Sequence, residues 1–135
     1  MVPGAVWGYV AEYLYLHGFT DIKFIYIAPY HLERLQERLT AAFPEDRLVI
    51  GDFFKLAGGL FVLIVEHTFF CALPPVKRPL YAKKMKELLA PGGLLAGLLF
   101  DFPLTEKGPP YGGSRAEYEE LFTPHFNIRT LEEAR

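Results

Sequence analysis

Four short apolar runs, separated by segments of helical periodicity, constrain this chain more than any other feature. Ile22–Ala28 is aromatic and β-branched, Arg47–Ile50 is short, Leu60–Val65 is wholly apolar, and Leu94–Asp101 is nearly so. Runs of this length read as buried strands. A helix is expected over Tyr9–His17, closed by Gly18 in a left-handed conformation. Over His31–Phe43, Leu32, Leu35, Leu39 and Ala42 share one face, opposite Glu33, Arg34, Glu37 and Arg38. Pro44 stops that helix. A further helix is expected over Val76–Leu89, with Tyr81, Met85 and Leu88 toward the core. There Lys83, Lys84, Lys86 and Glu87 face water. Pro91-Gly92-Gly93 then turns the chain into the Leu94 strand. Ser114 followed by Glu117 is a capping-box signal for a last helix, and Phe126–Leu131 has the pattern of a final strand. Strands alternating with helices imply an α/β, doubly wound, mostly parallel sheet with right-handed crossovers. With 135 residues and no repeat or linker, one domain is expected over 1–135.

The same residues exclude several partners. A net charge of −2 with scattered Lys and Arg lacks the concentrated basic face that phosphate backbones require, so no nucleic acid is expected. The longest stretch without a polar side chain, Leu88–Phe100, is broken by Pro91 and glycines and falls short of the ~20 residues of a spanning helix. A soluble protein with no membrane partner is therefore expected. One cysteine, Cys71, excludes an internal disulfide and suits a reducing, cytoplasmic setting. His17, His31 and His125 lack metal-ligand spacing, and no metal is expected.

In doubly wound sheets ligands bind at the carboxyl ends of the strands, which here means loops 3–10, 26–30, 51–56, 66–78 and 101–111. One of them holds Glu66-His67-Thr68-Phe69-Phe70-Cys71-Ala72-Leu73-Pro74-Pro75, followed by Arg78-Pro79 and Leu88-Leu89-Ala90-Pro91-Gly92-Gly93. Gly51-Asp52-Phe53-Phe54, Gly108-Pro109-Pro110-Tyr111 and Tyr118-Glu119-Glu120-Leu121 come in the same order. This ordered set resembles the thiopurine and thiol S-methyltransferase family, a branch of the class I S-adenosylmethionine enzymes. The resemblance implies a Rossmann-like fold of the class I methyltransferase type, with S-adenosylmethionine as cofactor. It also implies in-line methyl transfer from a sulfonium to a soft nucleophile such as a thiolate or halide. The implied cofactor contacts are Gly4, Gly8, Tyr26, Asp52, Phe53 and Glu66; the implied acceptor pocket holds Arg78, His67 and Tyr111.

Several positions depart from that family. Its first loop reads roughly Val-Pro-Gly-Cys-Gly-x-Gly-x-Asp; here Val2-Pro3-Gly4-Ala5-Val6-Trp7-Gly8-Tyr9-Val10 has Val6 for a glycine and Val10 for the acid. A β-branched residue does not readily adopt the positive φ that glycine allows. Tyr26 stands where an acid would accept the ribose hydroxyls, and Phe61-Val62 replaces Phe-Asp. The chain also looks truncated against the family, lacking most of the first strand. Met1–Pro3 as a minimal strand, a second chain in the gap, or a rearranged sheet would each answer that.

Two functions follow. One is a methyltransferase-like protein whose catalysis is impaired or lost. The other is a non-catalytic binding or self-assembling domain, natural or engineered, on the same scaffold. Trp7, Tyr9, Tyr13, Tyr15, Tyr26 and Tyr30 form an aromatic set suited to a protein partner or homodimer. Plainer roles stand beside each site residue: a turn for Asp52, core for Phe53, a cap or ion pair for Glu66, a surface pair for Arg78. Cys71, between Phe70 and Ala72 with no adjacent base, reads as packing.

Overall fold

The computed structural model describes residues 1–4, 8–27, 29–38, 44–57 and 61–134. Strands β1 (Val2–Pro3), β2 (Phe24–Tyr26), β3 (Leu48–Ile50), β4 (Phe61–His67) and β5 (Leu89–Leu98) alternate with helices α1 (Tyr9–Leu16), α2 (Pro29–Arg38), α3 (Arg78–Leu88) and α4 (Arg115–Phe122). All pairings between these strands are parallel, in two ladders: β1-β2-β3 and β4-β5. Met1 joins the ladders. Its nitrogen donates to Leu63 O (2.9 Å) and its carbonyl accepts from Val65 N–H (3.0 Å), the pattern of a parallel bridge opposite Ile64. The order is thus β3-β2-β1-β4-β5, with the sequence running outward in both directions from a central strand. Met1–Pro3 supplies that strand, the first of the three solutions open in the sequence.

Side chains alternate across the strands, and the alternation divides the core. Met1, Ile25 and Ile64 face α3 and α4, packing with Phe53, Phe70, Tyr81, Met85, Leu88, Tyr118 and Phe122. Val2 and Phe24 face α1 and α2, packing with Ala11, Ile22 and Leu35. Two helical layers around a parallel sheet make the Rossmann-like arrangement expected from the alternation of elements.

The helices form where periodicity placed them. Gly8 (φ 66°) opens α1, and Gly18 (φ 92°) follows its end. In α3, Tyr81, Met85 and Leu88 are buried as expected. Ser114 Oγ accepts from Glu117 N–H at the start of α4. The end of the second expected helix, residues 39–43, lies outside the described residues, as do Leu60 and Ala28.

The strands differ more. β2 is shorter than Ile22–Ala28, since both of its neighbours are themselves only two or three residues long. β4 is not covered on both faces throughout: Val62 is 75% exposed. β5 follows α3 directly at Leu89, and the Pro91-Gly92-Gly93 turn lies inside it as a bulge. Pairing there jumps from Phe61↔Leu89 to Leu63↔Leu94, with Gly92 at φ 76°. The expected buried strand Leu94–Asp101 is instead an edge, with Leu94 and Leu98 exposed and Leu99–Asp101 beyond its end. The expected final strand Phe126–Leu131 pairs with nothing among the described residues; Phe126 and Leu131 pack against the α3/α4 core from an irregular segment. Its apolar side chains go to that core, and among the described residues its backbone makes no ladder with the outer edge of β5.

Candidate functional site

The carboxyl ends of β1 and β4 meet through one contact. Gly4, at φ 64°, leaves β1, and a β-carbon there would fall 2.5 Å from the Phe69 ring. Only glycine combines that dihedral with that closeness. Gly8 repeats the arrangement against Leu35, again at positive φ. Ala5, Val6 and Trp7, between the two glycines, lie outside the described residues.

Phe69 is held in place from behind. Glu66, next to last in β4 and 3% exposed, accepts Phe69 N–H (2.8 Å) and Phe70 N–H (2.9 Å) on Oε1, and Tyr81 OH (2.6 Å) on Oε2. Of the roles open to it in the sequence, the structure shows a cap. Burial raises its carboxyl above the usual range against the pull of those hydrogen bonds, and burial with the nearby carboxylate pushes the Tyr81 phenol well up. Thr68, within the capped turn, takes φ 66°. A non-glycine residue there costs of order 1–3 kcal/mol and persists only where its surroundings impose it. Phe53, Phe69 and Tyr81 pack as a triad, Phe53 lying 5.1 Å from Phe69 and 5.9 Å from Tyr81, with 6.2 Å between the latter two. Phe53 is thereby core, while Asp52 beside it accepts Phe54 N–H (2.9 Å) and caps a short turn. Tyr26 ends β2 half-buried, its carbonyl accepting from Gly51 N–H.

A second cluster organises the loop after β5. Arg78, 2% exposed at the start of α3, donates to Gly112 O (2.6 Å) and to Glu117 (2.5 Å), and lies 4.5 Å over the Phe70 ring. Its Nε is buried without a partner. Tyr111 N–H donates to Cys71 O (2.7 Å), and Gly113 N–H to Phe102 O (2.8 Å). Arg78 and Tyr111 are thus neighbours, and the guanidinium is engaged by loop carbonyls and Glu117. That engagement also explains why the capping box at Ser114 is one-sided: its Glu117 carboxylate turns to Arg78. His67 is exposed at the end of β4. Burial pushes the Cys71 thiol up, and its Sγ donates to Thr68 O, so it has no thiolate character.

Sequence reasoning missed Tyr81 and Phe69 as partners of the site. A buried tyrosine needs a hydroxyl partner, and an acid ending an apolar strand needs donors; together these were the available signals. The aromatic set divides. Tyr9, Tyr13 and Tyr30 are exposed, with Arg38 over Tyr9 and Arg34 over Tyr30. Tyr15 and Tyr26 instead pack against the α1/α2 core, and Trp7 is outside the described residues. No group of three or more His, Cys, Asp or Glu among the described residues is placed to hold a metal, and no described helix is long and apolar enough to cross a membrane.

A cavity of about 580 Å³ lies at the opposite edge, lined by the amino ends of the strands including Met1, Ile22, Lys23, Phe61 and Leu63. Its walls are the residues that precede β2 and the first residues of β4.

Comparison with known proteins agrees with this architecture. A probable thiol methyltransferase 2 of Arabidopsis thaliana is 48% identical over 64 residues, covering 47% of this chain and 28% of that protein. A thiopurine S-methyltransferase of Vibrio cholerae is 33% identical over 103 residues, covering 65% of this chain and 47% of that protein. The chain therefore spans less than half the length of these relatives. Among solved structures, a putative sarcosine dimethylglycine methyltransferase from Galdieria sulphuraria superposes with a TM-score of 0.70 at 20% identity, covering 91% of this chain and 50% of that one. A TehB-like SAM-dependent methyltransferase from Corynebacterium glutamicum gives 0.68 at 20% identity, covering 91% and 62%. The sequence model of the thiopurine S-methyltransferase (TPMT) family matches residues 23–135, and with the class I methyltransferase fold around it this chain belongs to that family.

Proposed function

We propose that this domain is built for S-adenosylmethionine-dependent methyl transfer to a thiol or similarly soft nucleophile, with its hold on the cofactor weakened. The observation that carries this reading is the β1–α1 turn. Gly4 and Gly8 keep positive φ there, the backbone form that a glycine loop takes at the carboxyl edge where nucleotides bind in such sheets. Asp52 and Phe53 border the same edge.

The residues keep part of the family's cofactor loop and lose the rest. Gly4 and Gly8 stand where that loop has glycines, whereas Val6 replaces a third glycine, Tyr26, in place of a ribose-binding acid, offers one phenol for a bidentate carboxylate, and Val10 offers no acceptor. When bound, the cofactor supplies a methyl group on a positively charged sulfur. The chain's part is then to align an acceptor, exclude water and neutralise nothing covalently, which calls for proximity and desolvation. The loop pinned by Arg78, with Tyr111 and the exposed His67, forms the acceptor side.

A panel of thiols, a thiopurine and thiocyanate, the last because 45% identity over 67 residues links the chain to a thiocyanate methyltransferase 1 of Arabidopsis thaliana, tests the reading with radiolabelled methyl donor. Slow label transfer to a soft acceptor, and none to oxygen acceptors, is expected. No transfer to any acceptor at millimolar donor removes the enzyme reading.

A second reading has its own support. Tyr9, Tyr13 and Leu16 recur at i, i+4 and i+7 on α1, all exposed, as an apolar stripe that suits a protein partner or a second copy. Light scattering at high concentration checks the self-assembling form; a strict monomer sinks it.

A further inference from the structure

We propose that Glu66 and Tyr81 are positioning residues for the first loop, acting through Phe69, and that Glu66 is not itself a cofactor contact. The inference deepens the cofactor reading above and borrows its ligand from it, but its geometry stands without any ligand.

The chain of contacts is short, running from buried Tyr81 and Glu66 to the half-buried Phe69 ring. Tyr81, fully buried on α3, fixes one oxygen of Glu66; the other oxygen takes two successive main-chain N–H groups. Those two donors belong to the turn that leaves β4, and binding both of them holds Thr68 in its left-handed conformation. The turn in turn sets the height of Phe69, whose ring lies against the α-carbon of Gly4. Phe53 meets the Phe69 ring edge-on and stacks on Tyr81, which itself lies 6.2 Å from Phe69, so two buried rings hold Phe69 at the turn. Loss of the cap lets the turn relax, and Phe69 either presses into Gly4 or withdraws from it. Both change the exit of the first loop, although Glu66 lies on another strand.

The carboxylate also has three of its roughly four acceptor sites filled inside the protein. At 3% exposure it presents no open face to a ribose or an amino group. This separates positioning from contact by chemistry. Glutamine keeps an acceptor for the two N–H groups and an amide for Tyr81, so it preserves the turn while deleting the charge. Leucine deletes the cap.

The experiment uses the full chain, uniformly ¹⁵N-labelled, as wild type, Glu66→Gln, Glu66→Leu and Tyr81→Phe. In Glu66→Leu the Phe69 and Phe70 amides should exchange about tenfold faster or more, and the Gly4 amide resonance should shift; Glu66→Gln should restore both. Tyr81→Phe keeps the cap's N–H partners and should give a smaller change of the same kind, which serves if the leucine variant fails to fold. A Gly4 resonance unmoved in every variant overturns the proposal, whatever the protein binds. Titration with S-adenosylhomocysteine adds the second readout. Affinity about tenfold weaker in Glu66→Leu and recovered in Glu66→Gln supports positioning. Equal loss in both means the charge itself meets the ligand, which overturns it. If wild type binds nothing, the cofactor reading fails, and the Gly4 resonance alone decides the proposal.

Discussion

The two faces of the sheet are built to different standards. The α3/α4 face is filled by large aromatic side chains in edge-to-face contact: Phe70 with Tyr81 at 5.1 Å, Phe70 with Tyr118 at 5.7 Å, Tyr81 with Phe122 at 6.3 Å. Its buried polar groups are organised around Glu66 and Arg78. The α1/α2 face rests on Val2, Ala11, Ile22, Phe24 and Leu35, and it turns Tyr9, Tyr13 and Leu16 to solvent. Strands follow the same division. β4 and β5 are seven and ten residues long, whereas β1, β2 and β3 have two or three each. The difference teaches where the fold's stability resides. The well-packed face supports the loop pinned by Arg78, and the thin one carries Val10 and Tyr26, two of the positions where the family has acids. On the proposed reading, folding and cofactor binding can therefore be perturbed separately.

Core truncation tests the comparison with the largest effect. Phe70→Ala should cost about 3–5 kcal/mol and Leu35→Ala about 2–3, at the low end of its range because the smaller cluster has more room to collapse. Denaturant unfolding measures both, and equal losses would remove the asymmetry. Glu117→Gln leaves the Arg78 charge buried without its carboxylate. A loss of about 3 kcal/mol is expected, the bottom of the range for a broken buried pair because Glu117 is a third exposed. Faster proteolysis between residues 103 and 113 should accompany it.

Restoring acids sharpens the contrast from the other side. Tyr26→Glu and Val10→Asp should each tighten S-adenosylmethionine about tenfold or more, since a charged hydrogen bond is worth roughly 1.5–3 kcal/mol. Calorimetric titration reads this, and no gain from either would mean that the thin face is not where the grip was lost.

The smallest effect is one of pH. Burial raises the Glu66 carboxyl in the folded state above its ordinary value of about 4.5. Between those two values the folded state binds more protons than the unfolded one, so the group's contribution to stability falls as pH rises. Glu66→Gln removes that slope. Its melting temperature minus that of wild type should grow as pH climbs from about 4.5 toward neutrality; a constant difference would contradict the assignment.

How much of this was legible in the sequence depends on whether a feature is local. Tyr81, Met85 and Leu88 declared their face of α3 by spacing alone, and Ser114 declared the start of α4. The limits of β2, the exposure of β5 and the failure of Phe126–Leu131 to pair depend on which neighbours a strand finds, information that no single run contains. The candidate site divides in the same way. Gly4, Asp52, Phe53, Glu66, Arg78 and Tyr111 were identifiable as loop residues at the carboxyl edge. That Glu66 faces Tyr81, that Phe69 lies on Gly4 and that Arg78 takes Glu117 from its capping box are pairings across 15 to 65 residues of chain, set by packing of the sheet faces.

If, as proposed, a sound methyltransferase fold carries a weakened cofactor site, isothermal titration of the purified chain with S-adenosylmethionine and S-adenosylhomocysteine will separate the two properties, alongside a thermal melt of the same sample. One cooperative melt is expected together with affinity weaker than about 100 μM, roughly −5.5 kcal/mol or less in magnitude. Low-micromolar or tighter binding would show that Tyr26 and Val10 do not impair the site, and would contradict it.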